Sequence, residues 1–308
     1  MRCQTCGDAT SPSFNECQNC HTPLGQPAVT PGLETFAVRG IGLAASIAVG
    51  ATAAFYLLAA LSPVYGRVLA EHAADDRDAD VLLGAAVLEG LLALPFAAAY
   101  LTAGILVIIW TWRARKNTDA FPGALPSLGA GWAIAGWLVP FANFVVPARV
   151  VANIARDSLR RRGTGALVAV WWTAWLVFSL GERLVSLKDE MEYAELPEDP
   201  VGDAEFQAFV DYYQGALGRH AIPAIACVVA AVSFIVLIRR ISAAQQDRIA
   251  RATPAWPVTP GMTMAAGTPV VPAYPQPQPV TAPSPQVVAD PTVASPEVPP
   301  VPGGTIGA

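Results

Sequence analysis

Four long apolar runs alternate with short polar stretches along the chain. They lie at about residues 38–61, within residues 81–112, at residues 166–184 and at residues 221–238. About 20 apolar residues in a helix cross the roughly 30 Å hydrocarbon core of a bilayer, and each run is long enough to do so. The pattern therefore predicts an all-α polytopic membrane protein with four transmembrane helices.

A fifth apolar segment, residues 128–147, differs from the other runs because prolines interrupt it. Pro140 lies inside it and Pro147 ends it, and an internal proline removes a helical hydrogen bond and kinks or breaks the helix. Two interpretations remain open, a re-entrant or shallow hairpin and a Pro-kinked fifth span. The basic stretch at residues 149–162 follows, with apolar residues among its charges, and is typical of a helix at the membrane surface.

Charge is segregated along the chain, and this bears on the fifth segment. Only 14% of the residues are charged, and 53% are hydrophobic. The basic groups are Arg113, Arg115 and Lys116, residues 149–162, and Arg239 with Arg240; residues 67–80 and 189–211 are acidic. Lys and Arg prefer the cytoplasmic side, and all three basic groups reach that side only if residues 128–147 do not cross. The charges therefore favour the hairpin, with both termini cytoplasmic.

Two further patterns concern the side opposite the basic groups. Apolar residues recur with helical period from Phe206 to Leu217, which predicts an amphipathic helix leading into the last span. Ionisable residues collect at the ends of the spans, namely Glu89, Glu182, Arg183, Arg219 and His220. We expect them to form interfacial salt bridges, and a substrate or proton site is the alternative.

Residues 1–26 contain two Cys-x-x-Cys pairs separated by ten residues. The four candidate ligands are Cys3, Cys6, Cys17 and Cys20. Four thiolates in tetrahedral array favour Zn²⁺, and a complete set of protein ligands is typical of a structural site. So short a segment has no core of its own, and metal binding can supply its folding energy. The pattern therefore predicts a small zinc ribbon, with two disulfides or a rubredoxin-like iron site as alternatives.

The last 56 residues change character. Residues 253–308 hold 15 of the 28 prolines and no Lys or Arg, and their charged residues are Asp290 and Glu297. Such a segment buries too little apolar surface to offset its ordering entropy, so it is predicted to be disordered. Its Pro-x-x-Pro repeats could bind an aromatic groove of another protein. The predicted organisation is thus a ribbon (1–26), a linker (27–35), a membrane domain (36–252) and a Pro-rich tail (253–308).

The sequence carries no recognisable catalytic constellation. It has no phosphate-binding glycine loop, no His-Glu-x-x-His and no Gly-x-Ser-x-Gly, and only three histidines. We therefore expect a non-enzymatic membrane protein that is embedded in the lipid bilayer and contacts other proteins through its ribbon and tail. No nucleic-acid partner is expected, and a homo-oligomer is allowed. The alternative function is a small transporter or channel subunit.

The stretch from Trp112 to Ser158 carries a motif of several matched residue types. A Trp and an Arg-Ala-x-x-Asn element are followed by Gly-Trp-x-x-x-Gly-Trp-x-x-Pro-x-x-Asn-x-x-x-Pro and then by a helix ending in Ser. The motif residues are Trp112, Arg113, Asn117, Gly131, Trp132, Gly136, Trp137, Pro140, Asn143, Pro147 and Ser158. This pattern resembles the DUF4328 family of actinobacterial membrane proteins. Leu138 departs from the usual aromatic pair, and Phe144 stands where Leu is common. The resemblance implies a multi-span protein of the actinobacterial plasma membrane and implies no known activity.

Overall fold

The computed structural model describes residues 1–159 and 164–252, and these residues are mostly helical. The Pro-rich tail and part of the basic stretch, residues 253–308 and 160–163, lie outside the described residues. The helices are α1 (Arg39–Ala60), α2 (Ser62–Asp76), α3 (Asp80–Asp119), α4 (Trp132–Leu138), α5 (Val146–Leu159), α6 (Thr164–Ala194), α7 (Asp203–Arg219) and α8 (Ala221–Ala252), with a 3-10 turn at Ala142–Phe144. Within the described part, β structure is limited to two isolated bridges near the N-terminus.

Four helices are long and apolar enough to cross a membrane, as the sequence predicts. They correspond to the four apolar runs and occur in α1, α3, α6 and α8. Three of them continue beyond their apolar runs: α3 reaches Asp119, α6 reaches Ala194 and α8 reaches Ala252. The chain is therefore an all-α protein of the multi-pass membrane type.

The fifth apolar segment forms a short broken helix. Its helix α4 has 7 residues, about 10 Å at 1.5 Å per residue, which is too short to cross the hydrocarbon core. The helix ends before Pro140, and Phe141 adopts a positive φ of 64° that turns the chain. Gly136 then lets α4 approach α5 closely, because a Cβ at Gly136 would lie 2.5 Å from Val146 Cγ1. The four-span interpretation with an interrupted segment is confirmed.

One end of the bundle gathers the start of α1, the end of α3, α5, the start of α6 and the second half of α8. Their shared core includes Val38, Trp110, Ile154, Trp171 and Leu237, all nearly or completely buried. We call this the basic end, because the basic groups of residues 113–116, 149–156 and 239–251 belong to these elements. The apolar face of α5 thus packs on the bundle instead of lying on lipid.

The other end gathers α2, the start of α3 and α7. Phe206, Phe209 and Tyr213 of α7 pack on Ala70 of α2 and Leu82 of α3, which confirms the predicted amphipathic helix. The acidic stretches at residues 67–80 and 189–211 lie in or next to these elements, so we call it the acidic end. The segregation of charge along the sequence is therefore a segregation between the two ends of the bundle.

Candidate metal centre

The N-terminal segment folds as two similar knuckles, one around each cysteine pair. In the first, the N–H of Gly7 donates to Cys3 O at 2.9 Å; in the second, the N–H of His21 donates to Cys17 O at 2.8 Å. Gly7 and His21 each follow the second cysteine of a pair, and both have positive φ, 82° and 54°. His21 therefore serves the second knuckle through its backbone, while its side chain is mostly exposed beside Glu16.

The two knuckles bring the four predicted ligands together. All four Sγ atoms lie within 4.8 Å of one another, and the Cys3–Cys20 and Cys6–Cys17 sulfurs are each 3.6 Å apart. Tetrahedral zinc with Zn–S bonds of about 2.3 Å requires sulfurs about 3.8 Å apart. The four cysteines are free rather than paired in disulfides. The donor set and spacing fit one metal ion held by four thiolates, with every tetrahedral position filled.

The backbone of the knuckles also favours a thiolate at one ligand. Burial raises the pKa of the Cys3 thiol, but hydrogen bonds from the backbone N–H groups of Cys6 and Thr5, together with those from the Cys20 and Cys6 thiols, outweigh it and lower this pKa to about 7. Burial raises the pKa of Cys20. A metal binds only the deprotonated sulfur, so binding must displace protons from the more shielded thiols. The arrangement thus couples metal uptake to proton release.

The knuckles are attached to the last turns of α8. Arg251 donates from Nε to Gln4 O at 2.9 Å and from Nη2 to Thr5 O at 2.6 Å. Three residues earlier, Arg248 donates to Ala28 O at 2.7 Å, and its guanidinium lies 4.3 Å from the Phe121 ring centre. Two arginines of one helix therefore hold the ribbon and the linker against the basic end.

A buried polar layer lies beside this attachment, and it accounts for two of the motif residues. Gln245 Nε2 donates to Ser158 Oγ at 2.9 Å and to Ala114 O at 3.0 Å. Asn117 Nδ2 donates to Gln245 Oε1 and to Phe36 O, both at 2.9 Å. The layer joins α3, α5, α8 and the segment before α1, so Asn117 and Ser158 fix how these elements meet.

Sequence reasoning missed Gln245, Arg248 and Arg251. Their partners lie between 87 and 247 residues away along the chain, and no local spacing pattern predicts such contacts. The signal that could have found them is polar residues on the otherwise apolar face of α8. Gln245 continues the buried face of Leu237, Ile238 and Ile241 with helical period.

Three of the five ionisable residues predicted at the span ends form ion pairs at the acidic end, as expected. Arg219 contacts Asp189 at 2.5 Å and Glu192 at 2.7 Å, and His220 contacts Asp189 at 3.1 Å and Glu182 at 3.5 Å. The Tyr56 hydroxyl also donates to Glu182. The predicted residues Glu182, Arg219 and His220 are thus brought together, with Asp189 as a partner that the sequence did not suggest.

These ion pairs border a pocket of about 700 Å³. Glu89, also predicted at this end, lines the pocket beside Glu182, Asp189 and His220. Arg183 is not among its lining residues. The arrangement places several carboxylates around one space at the acidic end of the bundle.

The family comparison agrees with the motif. The model of the family described as "Domain of unknown function (DUF4328)" matches residues 73–243. The chain belongs to the DUF4328 family. Neither the curated proteins nor the solved structures gave a match. The DUF4328 region runs from the end of α2 into α8, so the ribbon, the linker and the two arginines that hold them lie outside it.

Proposed function

We propose that this DUF4328 protein is a non-enzymatic plasma-membrane protein that presents a zinc-stabilised ribbon to other proteins at the cytoplasmic surface. The observation that carries the proposal is the double hydrogen bond from Arg251 to Gln4 O and Thr5 O. It fixes the ribbon on the membrane domain instead of leaving it on a free linker. A partner that binds a surface held in place loses less entropy than one that binds a loose module.

The orientation follows from the charges of the two ends. The basic end carries the Lys and Arg groups and both the ribbon and the end of α8, and such groups favour the cytoplasmic side. We therefore place both termini in the cytoplasm and the acidic end outside. The ribbon, α5 and the end of α8 then share one cytoplasmic face. Proteins with an aromatic groove are the partners that suit a Pro-x-x-Pro tail.

The test is partner capture from membranes in mild detergent, with the intact protein and two variants. Cys17→Ser removes a metal ligand, and a chain ending at residue 252 removes the tail. We expect a partner that is retained by the intact chain and lost with Cys17→Ser. Retention of the same partners by both variants would show that neither module recruits them and would overturn the proposal.

A small transporter or channel subunit is the second candidate, and the pocket at the acidic end favours it. Glu89, Glu182 and Asp189 line that pocket beside His220, and ionisable groups near membrane depth mark ion or proton pathways in many proteins. The test is flux through liposomes that contain the purified protein. A monodisperse oligomer that conducts ions or solutes without a partner would favour this function, and Glu89→Gln should then lower the flux.

A further inference from the structure

A cavity of about 260 Å³ lies among the spanning helices, where the interrupted segment meets them. Its walls come from α1, α3, α6, α8, the end of α4 and the 3-10 turn after it, and they are mostly apolar and aromatic. Trp171 and Phe234 form part of its buried inner wall, whereas Tyr100 and Leu138 line it with 43% and 70% of their surfaces exposed. The cavity therefore opens sideways, between α3 and the interrupted segment.

Two of the residues that line the cavity each carry a buried polar atom that has no hydrogen-bond partner among the described residues. These atoms are the indole Nε1 of Trp137, a donor, and the amide Oδ1 of Asn143, an acceptor. A buried polar group without a partner costs about 1–3 kcal/mol, so two such groups in one cavity call for a ligand. Other polar groups nearby are satisfied: the Thr52 hydroxyl donates to Ala48 O, and the Trp172 indole donates to Phe144 O at 3.0 Å.

Trp137 and Asn143 both line the cavity because of the motif that the sequence analysis singled out. Trp137 lies in the last turn of α4 and Asn143 lies in the 3-10 turn, and the break at Pro140 and Phe141 turns the chain between them. The Trp137 ring is held edge-on against Trp172 and Trp175, with centroids 6.3 and 6.0 Å away. The Gly-Trp-x-x-Pro-x-x-Asn spacing thus places one side chain with an unpaired donor and one with an unpaired acceptor in the wall of the same cavity.

We propose that this cavity binds a membrane-soluble alcohol, a molecule with an apolar body and one neutral hydroxyl group. A hydroxyl accepts one hydrogen bond and donates another, so it satisfies Trp137 Nε1 and Asn143 Oδ1 together. An ionised carboxylate only accepts, so it would leave Asn143 Oδ1 unpaired. A cavity of 150 Å³ holds benzene; the 260 Å³ here suits an apolar group of roughly ten heavy atoms by the same scale.

The probe for the test is 10-bromodecan-1-ol, and its comparator is 1-bromodecane, which has the same body without the hydroxyl. Bromine quenches tryptophan fluorescence on contact, and tryptophans line the cavity. With the full chain in lipid nanodiscs, we expect saturable quenching by the alcohol and an apparent Kd about tenfold weaker for the alkane, the factor that one hydrogen bond near 1.4 kcal/mol gives.

Two variants test the polar pair. Trp137→Phe keeps the ring and removes the donor, and Asn143→Leu keeps the approximate size and removes the acceptor. Each removes one of the two proposed hydrogen bonds and should therefore lower the preference for alcohol over alkane. Trp132→Phe is the matched control, since Trp132 is 43% exposed and does not line the cavity, and it should keep the preference.

Filling the cavity provides a test that removes no existing contact. Gly104 lines it, and a Cβ there would meet no atom within 4 Å, so Gly104→Leu should abolish saturable quenching by the alcohol. Gly90→Leu is its control, because Gly90 lies in the same helix with equally open space and lines a different pocket.

Three outcomes would overturn the proposal. Equal affinity of the wild type for alcohol and alkane would mean that the cavity accepts any lipid chain. Quenching that rises linearly without saturation would mean partition into the bilayer only. An unchanged preference in both Trp137→Phe and Asn143→Leu, with both proteins monodisperse, would show that the two atoms do not recognise the hydroxyl.

Discussion

Asn117 and Gln245 are joined by a 2.9 Å hydrogen bond from the Asn117 Nδ2 to the Gln245 Oε1, although 128 residues separate them. Both side chains are fully buried. Asn117 also holds the backbone of Phe36 through a second pair of hydrogen bonds, from Phe36 N–H to its Oδ1 and from its Nδ2 to Phe36 O. The contact therefore ties the entry to α1 to the ends of α3 and α8.

Replacing Gln245 should destabilise the bundle. Gln245→Leu leaves Asn117 and Ser158 without their partner in a buried layer, and an unsatisfied buried group costs about 1–3 kcal/mol. We expect a lower melting temperature in thermal unfolding of the detergent-solubilised protein. The adjacent Gln246→Leu is the control: its Oε1 makes no hydrogen bond, so its melting temperature should stay near the wild-type value. Equal melting temperatures for the two variants would contradict this role.

The same residues show how far the sequence alone could go. The four spans were predictable because an apolar run that is longer than a bilayer core is rare outside membranes. The clustering of the four cysteines was predictable because Cys-x-x-Cys pairs at this spacing are typical of metal sites. Asn117 and Ser158 were visible as motif residues, but their shared partner Gln245 was not, since tertiary packing alone brings α8 beside them. The helix α2 was also missed, because acidic residues obscured its apolar face of Ala70 and Ala73.

The metal prediction concerns all four cysteines. The intact chain should bind one zinc ion and release protons on doing so, and Cys17→Ser should bind it about tenfold more weakly or worse, since a ligand is lost. Cys227→Ser is the control, because Cys227 lies in α8, outside the four-cysteine group. Metal analysis and competition with a chelator measure both. Unchanged affinity in Cys17→Ser would refute the site, and iron in the purified protein would refute zinc.

Loss of the Arg251 side chain should release the ribbon without unfolding it. Arg251→Ala removes both hydrogen bonds to the carbonyls of Gln4 and Thr5, together worth about 1–3 kcal/mol. We expect roughly tenfold faster amide hydrogen exchange at the ribbon, with metal content unchanged. Arg239→Ala replaces an exposed arginine of the same helix and should leave exchange as it is. Wild-type exchange rates in Arg251→Ala would show that the ribbon is held by other contacts.

Replacing Gly42 even with alanine should destabilise the bundle. Its missing side chain lets α1 approach α8, since a Cβ there would press on Ser242 Oγ and lie 3.2 Å from Trp110 Nε1. These two atoms share a hydrogen bond of 2.9 Å, so Gly42→Ala should cost about 1–3 kcal/mol through strain. Gly50→Ala, whose closest contact would be an ordinary 3.9 Å, should unfold no earlier than the wild type. Gly42→Ala melting at the wild-type temperature would mean that the helices simply move apart.

The last prediction is the orientation of the two ends, and the structure shows where to place the reporters. Leu125 and Arg149 are exposed at or near the basic end, and Val201 is exposed between α6 and α7 at the acidic end. In a background with the five native cysteines changed to serine, we introduce one cysteine at each position. An impermeant thiol reagent added to intact cells should label the cysteine at 201 only, and permeabilised cells should show all three.

The comparison of positions 125 and 149 shows whether the interrupted segment crosses the bilayer, since they flank it. A helix of 7 residues cannot carry the chain across the bilayer, so both positions must lie on one side, and the Lys and Arg groups at that end favour the cytoplasm. Labelling at 149 but not at 125 in intact cells would mean that residues 128–147 cross. Labelling at 125 and 149 with protection at 201 would mean that the orientation is the reverse of the predicted one, with the ribbon outside the cell.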